Sequence, residues 1–421
     1  MELLIAIFII GYLFIALEHS VRIDKAAVAI TLGVACWAAI SLSGLLPHEK
    51  IETSLLHHLS EISAILFFLI GAMTIVEIID SHEGFSIITN KIKTRDKTTL
   101  LWLISFVAFF LSAILDNLTT TILMISISRK LVQEVSDRRI LAGMIVVAAN
   151  AGGAFSPIGD VTTTMLWVGG QVSSWELIKI CFLPSLVCII APLIILSFSM
   201  KGTLAAVENT EQESSAKKPD VRILILGVAG LVLVPVFKAL FHLPPFMGMM
   251  LSLGAIWIIT EWIHRKKPED EKTSLAVSRL LKTIDTPSVL FFLGILLAVA
   301  ALSEVGILSN LAKSLDTSIG NNSVVATIIG LASAVVDNVP LVAATMQMYP
   351  LSTFPIDDFM WKMIAFCAGT GGSILIIGSA AGVAAMGIEN IPFGWYFRKI
   401  GLLAMVGYFA GVGTLLLEHL L

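Results

Sequence analysis

Residues 99–130 form an apolar run with Asp116-Asn117 near its centre and basic residues at both ends. As one straight helix the run would be about 45 Å long, well beyond the hydrocarbon core of a bilayer. An Asp inside hydrocarbon is costly unless it is paired or faces a polar cavity. Asn117 and the threonines from Thr119 to Thr121 favour caps and turns over helix interiors. A re-entrant hairpin meets all these conditions: a short helix enters, turns at a polar tip and a second helix returns. The basic residues before it (Lys91, Lys93, Arg95, Lys97) and after it (Arg129, Lys130, Arg138, Arg139) then lie on one side of the membrane.

The rest of the chain is just as apolar. Of its 421 residues 57% are hydrophobic and 14% charged, with a mean hydropathy of +0.92. A soluble domain carries about 25% charged residues. Bilayer-length apolar runs recur from end to end, so the expected class is an all-α polytopic membrane protein. The short alternating strands of a barrel are absent. With a net charge of -4 and no basic tract, lipid is the expected partner and nucleic acid is not. No GxxxxGK[ST] loop is present, so an ATP-driven pump would lack its motor. Cys36, Cys181, Cys188 and Cys367 all sit in apolar runs and read as small core residues. Residues 3–17 lack the basic start and cleavage site of a signal peptide, and read as part of a first span, 2–18.

The hairpin phrase occurs twice. Ser112-Ala-Ile-Leu-Asp116-Asn117-Leu-Thr119 has a counterpart in Ser333-Ala-Val-Val-Asp337-Asn338-Val-Pro340. Each copy is followed by a glycine-rich break in an apolar run, Asn150-Ala-Gly-Gly-Ala-Phe-Ser156-Pro-Ile-Gly-Asp160 and Gly371-Gly-Ser373 through Gly378-Ser379. Glycines and Pro157 permit an unwound path, and non-helical backbone at this depth is tolerated only inside protein or along a cavity. The expected organisation is therefore two inverted-topology repeats, each with a re-entrant hairpin and a discontinuous helix. N-terminal transmembrane helices occupy 1–60. The first repeat covers 61–200, with hairpin 99–130 and broken helix 140–170. A cytoplasmic linker covers 201–220, and transmembrane helices plus a cytoplasmic surface segment cover 221–286. The second repeat covers 287–421, with hairpin 321–350 and broken helix 359–390. Residues from His48 to the span at 61–79 read as a polar loop with a surface helix.

Charge tests this topology. With Arg22 and Lys25 inside, each basic segment falls inside as well: 91–97, 129–139, the linker, 264–286 and Arg398-Lys399. The positive-inside rule holds only if each hairpin returns to the side it left. Both termini then fall outside. Inverted repeats with broken helices around a midplane site are the architecture of secondary transporters, not of enzymes, with a channel as the alternative.

The polar residues at the two tips form two candidate cation sites. The first collects Ser112, Asp116, Asn117, Thr119 and Ser156, with Asp160 close by; the second collects Ser333, Asp337, Asn338 and Ser373, with Ser379 in the place of Asp160. Oxygen donors of this kind suit a small hard cation. A buried carboxylate holds either a proton or a metal ion, and that competition is enough for exchange. The structural alternative is that each Asp only caps a half-helix. His19, His57 and His58 read as loop residues, Glu77 and Glu304 as interfacial, and Trp102, Trp167 and Trp395 as interface anchors.

The four quoted phrases resemble those of the NhaD-type sodium/proton antiporters of the ion transporter superfamily. The resemblance covers the whole chain and is most specific over 99–170 and 321–390. It implies exchange of Na⁺ or Li⁺ for H⁺ in a bacterial inner membrane, no cofactor, and a homodimer whose protomers each hold both tips in a mobile transport domain. The dicarboxylate and citrate carriers of the superfamily have Ser-Asn-Thr at the tips. The carboxylates at 116 and 337 would repel an organic anion. A sodium-coupled symporter of organic or inorganic anions, like a dicarboxylate or arsenite permease, is the alternative.

Overall fold

The computed structural model describes residues 1–16, 18–85, 94–204, 220–265 and 275–420. Lys91, Lys93, most of the expected linker at 201–220 and part of the surface segment at 264–286 lie outside the described residues, as does the side chain of His19. The helices are α1 (Glu2–Ala16), α2 (Glu18–Val21), α3 (Lys25–Ser43), α4 (His48–Ser81), α5 (Lys97–Ser112), α6 (Asn117–Leu131), α7 (Val135–Ala154), α8 (Val161–Val168), α9 (Ser174–Ser197) and α10 (Val221–Phe241). They continue as α11 (Pro245–His264), α12 (Val277–Leu280), α13 (Thr286–Glu304), α14 (Ile307–Ile319), α15 (Asn322–Ala332), α16 (Asn338–Met348), α17 (Phe359–Gly371), α18 (Ala380–Glu389), α19 (Phe393–Tyr396) and α20 (Leu402–Leu420). A π-helical turn, Phe397–Gly401, joins the last two. Seven of the described helical segments are long and apolar enough to cross a membrane. Leu240 of α10 and Ile258 and Trp262 of α11 are exposed, as lipid-facing residues must be.

Both hairpins form. α5 and α6 are about 24 and 22 Å long, too short to cross alone, and they meet at a turn over 113–116. α15 and α16 are shorter still and meet at 333–337. The broken helices follow: α7 and α8 part at 155–160, and α17 and α18 at 372–379. Close backbone contact holds each broken helix to its own hairpin. A Cβ on Gly152 would lie 2.1 Å from the carbonyl oxygen of Phe109, and one on Gly371 only 1.9 Å from that of Gly330. Ser112 Oγ donates to the Ala149 carbonyl at 2.7 Å, and Ser333 Oγ to that of Ala368 at 2.8 Å. These are matching bonds in the two repeats.

The repeats then interlock. α6 packs on α18, α16 packs on α8, and α7 crosses α17. A second group, α1, α3, α4, α10, α11 and α13, packs side by side, with α3 against α13 where Gly33 and Gly294 let the backbones touch. Loops that the charge pattern assigns to one side also contact one another. Lys97 pairs with Asp137 at 2.6 Å, Arg138 with Glu389 at 3.1 Å, and the Asp220 amide donates to the His82 carbonyl. At the other end Lys238 Nζ donates to the Trp167 carbonyl, the Ser173 amide to Asp357, and Lys362 Nζ to Glu176.

Several expectations are corrected. α4 runs unbroken from His48 to Ser81, so the expected loop is helical and the boundary at 60/61 falls inside a helix. No proline interrupts it, and its polar residues find partners. His58 is buried rather than solvated, between Glu61 and Glu304. Glu304 also pairs with Lys50, and Glu77 accepts from Thr283. Trp167 is no interface anchor: it is fully buried, edge-on to Phe68. α14 was not expected from the sequence. The four cysteines are buried and unpaired, as expected.

Glu389, with a side chain only 2% exposed, pairs with Arg138 and Arg129 and ties the end of α18 to the end of α6 and the start of α7. Removing it leaves Arg138 without its carboxylate partner, a loss of about 3 kcal/mol. Glu389→Ala is expected to melt well below wild type in detergent, whereas Arg129→Ala, at the more exposed guanidinium, should change little.

Candidate functional site

Four half-helices start at the centre of the interlocked repeats. Asp116 caps α6, Asp160 caps α8, Asp337 caps α16 and Ser379 caps α18. The repeated Asp-Asn phrase is thus a cap followed by the first helical residue. The half-helix beginnings are polar because each exposes amide groups that need acceptors. Asp116 accepts from the Thr119 amide at 2.8 Å and the Thr119 hydroxyl at 2.6 Å. Asp160 Oδ1 accepts from the Thr162 amide at 2.9 Å, and Asp337 Oδ1 from the Val339 amide at 3.2 Å.

One carboxylate joins the two tips. Asp160 Oδ2 accepts from Asn117 Nδ2 at 3.0 Å and from Asn338 Nδ2 at 3.3 Å. Asn117 and Asn338 are equivalent residues of the two hairpins, so symmetric donors converge on one asymmetric acceptor. Asp160 is 2% exposed. Behind it, Asn117 also donates to Asn150 Oδ1 at 3.0 Å. Asn150 Nδ2 in turn donates to the hydroxyls of Ser373 and Ser379, both at 2.9 Å. The chain Asn338–Asp160–Asn117–Asn150–Ser373/Ser379 therefore runs through both repeats without leaving the buried interior.

The two expected sites are in this way one junction. Asn117, Asp160, Asn338 and Ser373 lie in the network. Asp116, Thr119 and Asp337 flank it, half-buried, each aspartate next in the chain to one of the two asparagines. Ser112, Ser333 and Ser156 face backbone carbonyls instead: Ser156 Oγ donates to Ala113 and so pins the break to the hairpin turn. Thr163 Oγ1 donates to the Ser156 carbonyl at 2.7 Å and Thr164 Oγ1 to that of Pro157 at 3.0 Å, so the unwound backbone is held by hydroxyls. Asn150 was not among the expected site residues. Its signal was visible: it is the one amide side chain in the apolar stretch 140–154. No cluster of three or more His, Cys, Asp or Glu with metal-holding geometry occurs among the described residues. Oxygen donors at this junction come mainly from amides, hydroxyls and freed carbonyls.

Inverted repeats whose half-helices start at a shared buried polar junction define a secondary transporter of the membrane. Comparison with known proteins gives the family. The chain belongs to the citrate transporter family CitMHS, whose model matches residues 12–364, and within that fold to the NhaD-type antiporters. It is 49% identical to sodium/proton antiporter 1 of Arabidopsis thaliana over 98% of this chain and 72% of that protein. It is 32% identical to the Na(+)/H(+) antiporter NhaD of Vibrio cholerae over 98% of this chain and 91% of that one. Among solved structures, the YdaH transporter of Alcanivorax borkumensis superposes with a TM-score of 0.58 at 10% identity, covering 93% of this chain and 98% of that chain. That likeness is one of fold.

Proposed function

We propose that the chain exchanges Na⁺, and Li⁺, for H⁺ across the cell inner membrane as a homodimer, with both termini outside and the 201–220 linker in the cytoplasm. The observation that carries this is the convergence of Asn117 and Asn338 on Asp160, with Asp116 and Asp337 alongside. Each helix start contributes roughly half a positive charge. Four of them alone would favour an anion. Three aspartates reverse the sign and make the junction a cation site. A desolvated carboxylate must be neutralised by a proton or a metal ion. The two therefore compete, and a group that carries either one across the membrane performs exchange. The Oδ1 atoms of Asn117 and Asn338 and the freed carbonyls of 155–160 are the further oxygen ligands for Na⁺. The relatives' names as sodium/proton antiporters favour the same reading.

Reconstitution in liposomes with an internal pH dye tests it. Addition of Na⁺ or Li⁺ should move protons, and K⁺, citrate or succinate should not. Uptake of citrate or succinate with no cation-driven proton flux would establish the anion symporter instead. Asp116→Asn and Asp337→Asn should each lose most of the exchange while keeping the wild-type melting temperature. Unchanged exchange in both would leave these residues as helix caps only.

A further inference from the structure

The two hairpin carboxylates are equivalent in sequence but not in their partners. Asp116 has both oxygens satisfied within its own helix, by the amide and the hydroxyl of Thr119. The residue in the same place of the second hairpin is Pro340. Proline has neither an amide hydrogen nor a hydroxyl. Asp337 keeps one amide bond, from Val339 to Oδ1, which leaves Oδ2 to a partner from outside the hairpin. The atom that meets it there is Lys25 Nζ, at 3.4 Å.

Lys25 is held in place by the helices of the other group. It is the first residue of α3, and its amide donates to Glu18 Oε1 at 3.1 Å. Its Nζ lies 4.6 Å from the centroid of the Phe291 ring on α13. α3 and α13 are packed backbone to backbone, so the ammonium has a fixed base. The pair is neither sealed nor solvated: the side chains are 25% and 19% exposed. Its single contact is longer than the 2.6 Å of Lys97–Asp137. A fixed structural pair would be tighter and more enclosed. This one leaves about a fifth of the Asp337 side chain uncovered.

We propose that Lys25 is a tethered cation that occupies Asp337 when no Na⁺ is bound, and that Na⁺ must displace it to reach the junction. The ammonium and the metal ion are alternative partners of the same oxygen. Lys25 thus sets the Na⁺ affinity of the site, and its departure frees the second hairpin from α3. It is a positioning residue for the hairpin rather than an ion ligand. This rests on the cation-exchange reading given above.

The test compares wild type with Lys25→Ala, Lys25→Met and Lys25→Arg in proteoliposomes, together with radioactive Na⁺ binding to the purified protein. Removing the competing charge should lower the KM for Na⁺ and tighten binding three- to tenfold, about the range of a half-exposed ion pair. Lys25→Arg, which keeps the charge, should restore the wild-type KM. A merely structural lysine would lower the melting temperature and the maximal rate but leave KM where it was. Lys25→Met keeps the length of the side chain and reads the same quantity if Lys25→Ala does not fold. Wild-type exchange with an unchanged or higher KM in the uncharged variants would overturn the inference and spare the functional reading. Wild-type protein that neither binds nor exchanges Na⁺ would overturn both.

Discussion

Asp160→Asn is expected to reduce cation exchange roughly a hundredfold, the equivalent of about 3 kcal/mol of lost cation binding. The substitution keeps the helix cap. Asn is as good a helix cap as Asp, so the bond from the Thr162 amide survives. The charge disappears, and the new Nδ2 stands where Oδ2 accepted from Asn117 and Asn338, so those two amides must turn to meet it. The melting temperature should fall only modestly, by the loss of these two buried bonds, while exchange falls far more. Ser379 occupies the equivalent place in the second repeat and caps α18 with no charge, so the cap itself does not require one. Exchange measured in liposomes, beside a melting curve in detergent, checks both halves of the expectation.

The second large effect is on structure. Gly371→Ala places a methyl group 1.9 Å from the carbonyl oxygen of Gly330. The obstacle is backbone, so no side-chain rotation relieves it. α15 and α17 must separate, and the Ser333 bond to the Ala368 carbonyl breaks with them. The cost is about 3 kcal/mol, at the upper end of overpacking effects. Low yield and a strongly lowered melting temperature are expected. Gly387→Ala, where nothing approaches within 4 Å, is the matched control and should be neutral.

Much of the architecture could be read before the structure, for physical reasons that differ by element. The hairpins were legible because a carboxylate in an apolar run and basic residues on both flanks leave few alternatives. The broken helices were legible because Pro157 and the paired glycines cannot be explained otherwise at that depth. α4 was misread because Lys50, His57 and His58 look like loop residues when their partners are unknown. The pairing of Lys50 and His58 with Glu304, far along the chain, is what makes a long helix there acceptable. α14 was missed because its mixed polarity, with Lys313 and Asp316 among apolar residues, resembles a loop as much as a helix lying at a boundary.

The site residues were legible as types but not as a geometry. Two similar phrases suggested two similar sites. Only the interlocking of the repeats reveals that both asparagines meet on one aspartate. The differences between the copies then carry the information. Asp160 against Ser379 makes one centre instead of two. Thr119 against Pro340 leaves one hairpin carboxylate closed on itself and the other open to Lys25. The structural alternative for the aspartates was also partly right, since all three do cap helices. Capping occupies only Oδ1 in Asp160 and Asp337, which leaves Oδ2 for the proposed cation role, so one does not exclude the other.

The most direct test of the single-junction account is proton release on Na⁺ binding, followed with a pH electrode in weakly buffered detergent solution. Wild-type protein should release protons when Na⁺ is added, saturating with the Na⁺ concentration, and Asp160→Asn should release none. Equal release from Asp160→Asn and wild type would contradict the account, because proton and cation would then be competing at some other group.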